Sequence, residues 1–318
     1  MACRSANKIG AVMENIKTKF GREIKRVLHI LNPLAGHGMA KKIKKHIKET
    51  DETYMSESPA ATSRFIKESC QVEPDTCFTV YGGDGTVHRA VNAVMSSECN
   101  KEAMLKIVPI GSGNDFVRSF DDMPDEFCAD VMKFNDRYAA NIINMGFDCN
   151  VVKRADKVKK LPLINGPFAY ILGVVGELFT KKPLKAKVVL TYEDGTTEKI
   201  DEDLLLIAIG NGRWYGGGFK AAPGAKLDSG TLDVTIIRNV SRLRFISLVG
   251  KFKKGTHIED HKNAKVKKKF EKYLIYKRCV GVHVEGIETV CADGEIYRRN
   301  EVNVEVVPKA INIIKHKI

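Results

Sequence analysis

No two of the eight cysteines stand at C-x-x-C spacing, and the chain carries a single tryptophan. The cysteines (Cys3, Cys70, Cys77, Cys99, Cys128, Cys149, Cys279 and Cys291) are spread thinly over 318 residues. That argues against a zinc ribbon or a disulfide scaffold and reads as reduced thiols in a cytosolic protein. Aromatic residues make up 8% of the chain and no nucleic-acid-binding motif occurs, so nucleic acid is not an expected partner. There is no internal repeat and no low-complexity tract. The longest largely apolar stretch, residues 161–179, is interrupted by Pro162, Pro167 and Glu177. A membrane span needs about 20 apolar residues, so a buried helix or one bordering a lipid pocket is expected there instead. Residues 1–26 lack the apolar core of a secretory leader. They place Ile9, Val12, Met13, Ile16 and Phe20 at helical spacing with basic residues between, which predicts an amphipathic helix over 1–25. Its docking surface is either protein or the membrane interface.

Charge of one sign is in excess. The formal net charge is +13, and the surplus falls beyond residue 150. Arg238 to Arg278 holds fourteen Lys/Arg against Glu259, Asp260 and Glu271, a local balance of +11, and Val151 to Lys185 holds a balance of +6. Such blocks attract polyanions, including anionic lipid headgroups and nucleotide phosphates. His257 and His261 lie four apart in the first block and are expected to share a face of a solvated basic helix, which is too few ligands for a metal.

Residues 26–120 alternate strand and helix signals. Strands are predicted at 26–31, 53–56, 76–81 and 105–110, and helices at 39–49, 59–70, 86–95 and from 114. That alternation gives a parallel sheet covered on both faces, a doubly wound α/β nucleotide-binding domain over 26–137. After residue 137, strand signals separated by turn pairs such as Asp194-Gly195 and Asp293-Gly294 predict an antiparallel β-sandwich over 138–299. Residues 300–318 are expected to return to the first domain.

In an open parallel sheet, ligands bind where loops leave the carboxyl ends of the strands. Three glycine-rich loops do so here: NPLAGHG (32–38), YGGDGTVH (81–88) and PIGSGNDF (109–116). Small residues let backbone N–H groups approach an anion, and the helix that follows points its N-terminus at the same place. Asp84 is repulsive to a phosphate unless a divalent cation lies between them, so the second loop implies Mg²⁺. In the third, Gly111 and Gly113 flank Ser112, and Asn114 and Asp115 open the next segment. None of these loops is GxxxxGK[ST], which excludes a P-loop enzyme, and none fits GxGxxG followed by a later acid.

Together, in this order, the motifs NPLAGHG, GGDGT and GSGND resemble those of the bacterial diacylglycerol kinase-like lipid kinases, a family similar to the catalytic domain of sphingosine kinases. NIINMGFD (141–148), GNGRWYGGGFKAAPGAKLDSGTLDV (210–234) and CADGE (291–295) agree, so the resemblance runs over roughly residues 26–318. It implies an ATP-dependent transfer to a lipid hydroxyl. ATP would be contacted by Asn32, Pro33, Leu34, Ala35 and Gly36, by Ser56, by Gly82, Gly83, Asp84, Gly85, Thr86, Val87 and His88, and by Ser112, Gly113 and Asn114. Asp84, Asp115 and Asp130 would form a water-mediated Mg²⁺ network. Asp293 or Glu295 would be the base that takes the hydroxyl proton, and residue reasoning does not rank the two. A structural metal would fall at Lys226, Ser229 and Thr231, partly through main-chain carbonyls.

Two positions depart from the family pattern. Ser229 stands where an acid is usual, with Asp228 beside it, and Arg89 stands where Glu is common. The expected function is a lipid kinase acting on diacylglycerol or a related lipid, cytoplasmic and peripherally held on an anionic membrane by the blocks 151–185 and 238–278. A homodimer stays open. The alternatives are an NAD kinase-like enzyme and a non-catalytic nucleotide or membrane-binding protein, the latter favoured by Arg89 and Ser229.

Overall fold

The structure is a computed structural model and describes residues 16–18, 23–48, 51–147, 149–151 and 183–316. The apolar stretch 161–179 and nearly all of the basic block 151–185 lie outside the described residues. So do residues 1–15 and 19–22 of the amphipathic segment. Within that segment the helix expected around Ile16 is replaced: Ile16–Lys17 pairs antiparallel with Glu23–Ile24. Ile24 is buried against Cys77 and Met104 at the sheet's edge, and that burial overrides the helical spacing.

The first half supplies β1 (Arg26–Leu31), α1 (Met39–Lys44), β2 (Glu52–Met55), α2 (Pro59–Val72), β3 (Thr76–Gly82), α3 (Asp84–Met95), β4 (Met104–Pro109), β5 (Glu126–Phe134), β6 (Arg137–Ala139) and β7 (Ile142–Gly146). Strands β2-β1-β3-β4 lie side by side, all parallel. Their apolar residues split between the two faces. Leu28, Ile30, Phe78, Val80, Leu105 and Ile107 pack under α2 and α3, whereas Leu31 and Val108 pack under α1. Period-two alternation in strands covered on both sides gives this doubly wound layer. Helix α2 opens on Ser58, whose hydroxyl accepts from the Ala61 N–H at 3.1 Å, with Pro59 at the first helical position. The helix expected from residue 114 is only a 3₁₀ turn, Val117–Phe120. Asn114 has φ +52° and breaks any helix at its start.

The second half supplies β8 (Leu184–Thr191), β9 (Thr197–Gly210), β10 (Leu232–Arg238), α4 (Arg242–Lys253), β11 (Leu274–Cys279), β12 (Gly281–Glu285), β13 (Thr289–Ala292), β14 (Glu295–Arg298) and β15 (Glu301–Lys315). These strands pair antiparallel in the path β14-β13-β7-β9-β8-β12-β15, with β10 and β11 continuing from β9. Alternating Val, Ile and Leu from β7, β8, β9, β10, β12, β13 and β15 form one buried cluster between the layers. The chain is thus a parallel α/β layer followed by an antiparallel β-sandwich.

Strand β15 belongs to both halves. Its start pairs with β12, its middle and end run antiparallel to β5, and Asn312–Lys315 runs parallel to β4.

Two local expectations are corrected. His257 and His261 do not share a helix, because α4 ends at Lys253 and Ile258–Asp260 forms a short strand with Lys265–Val266. His257 is 2% exposed, among Phe252 and Tyr276, and burial pushes its pKa down to about 4. The cysteines are not all separate thiols: Cys70 at the end of α2 pairs with Cys99 after α3, with Cα atoms 6.1 Å apart. The spacing of 29 residues hides a contact that the packing of α2 on α3 creates. No helix among the described residues is long and apolar enough to cross a membrane.

Candidate active site

The loops after β1, β3 and β4 meet at one edge of the parallel sheet, tied by main-chain bonds. The Asn32 N–H donates to Tyr81 O (3.2 Å), the Ile110 N–H to Gly82 O (3.1 Å) and the Ser56 N–H to Leu31 O (2.8 Å). Asn32 organises its own loop. Its Oδ1 accepts from the Leu34 N–H, and its Nδ2 donates to Thr86 Oγ1 at 2.9 Å. Thr86 therefore braces the first loop, and Gly83 is the N-cap of α3. Gly83 and Gly111 pack backbone to backbone, where a Cβ on Gly111 would collide with the Gly83 Cα. Asn114 folds back on the third loop, with Oδ1 3.0 Å from the Gly111 N–H and Nδ2 2.8 Å from Gly111 O. The result is a small-residue ledge with Ser112 exposed at its rim and Ser56 beside it.

Two carboxylates sit under that ledge. Asp84 Oδ1 accepts the Phe116 N–H at 3.2 Å, and Asp115 Oδ2 accepts the Gly217 N–H at 2.7 Å. Among the described residues Asp115 Oδ1 is buried with no hydrogen-bond partner, and Arg118 Nε stands 3.6 Å from it. Burial and then the neighbouring Asp115 push the Asp84 carboxyl up to about 6. Burial also raises Asp115, against the pull of the Gly217 N–H and Arg118. Two neighbouring buried acids, both raised by burial and one with an orphaned oxygen, form a donor set that fits a hard divalent cation. Gly217 was not among the expected site residues. Its signal was the run Gly216-Gly217-Gly218, all at positive φ.

On the sandwich side, the turn Asp293-Gly294 joins β13 to β14 with both residues at positive φ, a type I′ hairpin. The Asp293 side chain is 4% exposed. It accepts from the N–H groups of Ala140 (2.8 Å), Asn141 (2.9 Å) and Ile142 (3.1 Å) and from His88 Nδ1 (3.0 Å). His88 Nε2 meets the Tyr297 hydroxyl at 2.9 Å, and Asn92 bonds the Tyr138 backbone through both its amide atoms. Both ring nitrogens of His88 are thereby engaged on the sandwich side. Glu295 differs from Asp293. Its side chain is 40% exposed, it sits against Gly85, and Arg89 Nη2 reaches its Oε1 at 2.7 Å while Nη1 holds Gly85 O at 3.1 Å.

Asp130 is not brought to Asp84 and Asp115. It is fully buried and accepts the Gly230 N–H (2.6 Å) and the Lys309 N–H (2.7 Å), while its own N–H donates to Leu227 O. It anchors the 226–231 loop and β15. In that loop the Ser229 hydroxyl lies 3.1 Å from Lys226 O, 3.3 Å from Thr231 O and 3.0 Å from Thr231 Oγ1. The carbonyls that a cation would use are thus bridged by a neutral hydroxyl, and the buried carboxylate nearby is engaged by two N–H groups. Lys226, Ser229 and Thr231 do not fit a divalent ion.

Profiles of two protein families match the chain: the diacylglycerol kinase catalytic domain over residues 26–143, and the YegS C-terminal NAD kinase beta sandwich-like domain over residues 141–315. A diacylglycerol kinase of Mycobacterium tuberculosis is 28% identical over 92% of this chain and 96% of its own length. A probable YegS-like lipid kinase of Shewanella frigidimarina is 26% identical over 73% and 74%. Among solved structures, a putative diacylglycerol kinase from Bacillus anthracis superposes with a TM-score of 0.67 at 23% identity, covering 92% of this chain and 97% of that one, a likeness of fold. With both halves matched in the same order, and with the three glycine loops meeting at one sheet edge, the chain belongs to the bacterial diacylglycerol kinase-like family of lipid kinases.

Proposed function

We propose that this protein transfers the γ-phosphoryl group of ATP to the hydroxyl of diacylglycerol or a related lipid at a membrane surface. The observation that carries this reading is the buried pair Asp84 and Asp115, with the unpartnered Asp115 Oδ1, under the close-packed ledge of Gly83 and Gly111. The ledge, with Ser56 and Ser112 at its rim, holds the phosphates. Asp84 and Asp115 would hold Mg²⁺, which when bound would supply neutralisation of charge on the phosphoryl oxygens.

The lipid oxygen attacks the γ-phosphorus and the bond to the β–γ bridging oxygen breaks. ADP leaves, and the hydroxyl proton passes to a carboxylate. Glu295 is that base. Its carboxylate is open to the cleft beside Gly85, whereas every strong contact of Asp293 is already made inside the protein. Arg89 positions Glu295, and Asp293 with His88 positions the turn that carries it. The relative from Mycobacterium tuberculosis, named a diacylglycerol kinase, supports diacylglycerol as acceptor. The basic block 238–278 supports an anionic surface.

The test incubates the protein with γ-labelled ATP, Mg²⁺ and mixed micelles of candidate lipids, with Asp84→Asn and Glu295→Gln run alongside. Labelled lipid that disappears in both variants supports the reading and names the acceptor. ATP binding with no labelled lipid across a total lipid extract would overturn it, as would label on a soluble dinucleotide.

A further inference from the structure

Helix α4 stands on the sandwich with its inward side formed by Phe245 and Phe252, packed against Phe147 and Tyr215. Its outward side is unusual for a helix in a basic block. Leu243, Ile246, Ser247 and Gly250 are all exposed, and at about 100° per residue they fall within one arc of about 100°. Leu243 is 83% and Ile246 55% exposed. The same geometry puts Arg242 and Lys253 along one border of this strip and Arg244 and Lys251 along the other. A solvated face carries its charges at its centre. Here the centre is aliphatic and uncharged and the cations form the margins, the arrangement of a helix that lies in a lipid–water interface.

The Arg244 margin opens into a cleft of about 370 Å³. Arg244, Lys251, Lys269 and Lys272 line it together with Ser247, and among the described residues no acid does. The Arg244 guanidinium lies 4.8 Å over the Tyr273 ring and Lys272 Nζ 4.9 Å over the same ring, so two of the four cations are held in place. The acids Glu202 and Asp203 line an adjoining cleft at the helix's N-terminal end, which shares Arg244, Lys272 and Tyr273 with this one, and Glu202 is paired with Arg238 at 2.9 Å.

We infer that α4 is a membrane-docking element: Leu243 and Ile246 enter the headgroup–acyl boundary of an anionic bilayer, and the cleft of Arg244, Lys251, Lys269 and Lys272 receives a lipid phosphate. An acidic protein would satisfy the cations but not the aliphatic apex. A bilayer with anionic headgroups satisfies both. The placement also suits the chemistry. Phe252 stacks near Tyr215, the Lys220 N–H donates to Lys253 O at 3.1 Å, and the same 215–220 loop sends the Gly217 N–H to Asp115. The docked helix therefore ends on the loop that reaches the carboxylate pair. The use of this surface rests on the lipid-kinase reading; its binding does not.

The experiment sediments the full chain, without ATP, with phosphatidylcholine vesicles made with and without phosphatidylglycerol. The variants are L243D/I246D, the milder L243A/I246A, K269E/K272E, and K262E/K265E as a basic pair in the same block but off this face. The wild type is expected to bind only the anionic vesicles. L243D/I246D and K269E/K272E each lose binding about tenfold or more, L243A/I246A lies between, and K262E/K265E stays near wild type. Unchanged binding in both Leu243/Ile246 pairs, with melting temperatures at the wild-type value, overturns the proposal. So does an equal loss in K262E/K265E, which would mean charge spread over the block. Activity on a short-chain acceptor dispersed in solution separates the two readings. Vesicle binding with no lipid phosphorylation defeats the kinase reading and leaves docking standing, whereas phosphorylation without selective binding does the reverse.

Discussion

Glu295 and Asp293 stand two residues apart and fail differently when altered. Glu295→Gln keeps the shape of the cleft and the Arg89 contact but cannot take a proton. It is expected to lower kcat by about 10²- to 10⁴-fold, with ATP affinity and melting temperature near wild type. Asp293→Asn swaps one acceptor oxygen for an N–H donor facing the Ala140 N–H and His88. It should cost about 2–4 kcal/mol of stability, read in urea unfolding, with activity lost only as far as the turn shifts.

Asp84 gives a pH signature. Its carboxyl in the folded, metal-free protein lies at about 6, raised above its ordinary 3.8 by burial first. A raised folded value means the stabilising contribution is complete below pH 4 and is lost as pH rises through 6. The full difference is about 3 kcal/mol. Metal-free protein should therefore melt at a lower temperature at pH 7 than at pH 5, Mg²⁺ should recover more of that loss at pH 7, and Asp84→Asn should flatten both effects. The acids of this cleft could be picked out from the glycine loops that carry them, because three glycines around an aspartate after an apolar strand have few structural uses. The ranking of Asp293 against Glu295 could not be read that way, since it depends on three N–H groups from residues 140–142, more than 150 positions away.

At the scale of elements, the 226–231 loop is closed by the Ser229 hydroxyl on the Lys226 and Thr231 carbonyls. Ser229→Asp would return a carboxylate to the Lys226 and Thr231 carbonyls. The variant is expected to gain a melting temperature that rises with Mg²⁺ or Ca²⁺ beyond the wild type's response, measured with Asp84→Asn in the background to silence the cleft. Failure of S229D to respond would mean that the loop geometry, and not the missing charge, excludes the ion. Elements with clean periodicity, such as β1, α2 and β3, were readable to within one or two residues. The block 238–278 was not. Its lysines dominate any local average, and α4 and β11 emerge only because Phe245, Phe252, Leu274 and Tyr276 find apolar partners across the sandwich. Strand β5 is not legible in the sequence for a related reason: EFCADVMKF carries two acids and a lysine, and its pairing with β15 joins segments far apart in sequence.

For the whole molecule, β15 is the decisive strand. It pairs with β12 of the sandwich and with β4 and β5 of the α/β layer, and the Lys309 N–H holds Asp130 between them. A chain ending before Ala310 would strip Ile311 and Ile313 from the first domain's core. It is expected to unfold in two separate transitions, or to fail to fold, where the full chain shows one. Two halves sewn together by a continuous strand, and pinned again where Asp293 and Tyr297 meet His88 of α3, have little freedom to close about a hinge. Many phosphoryl-transfer enzymes exclude water by swinging one lobe over the nucleotide. A molecule built as a fixed slot must find its cover elsewhere, and under the docking proposed for α4 the bilayer itself would serve as the lid.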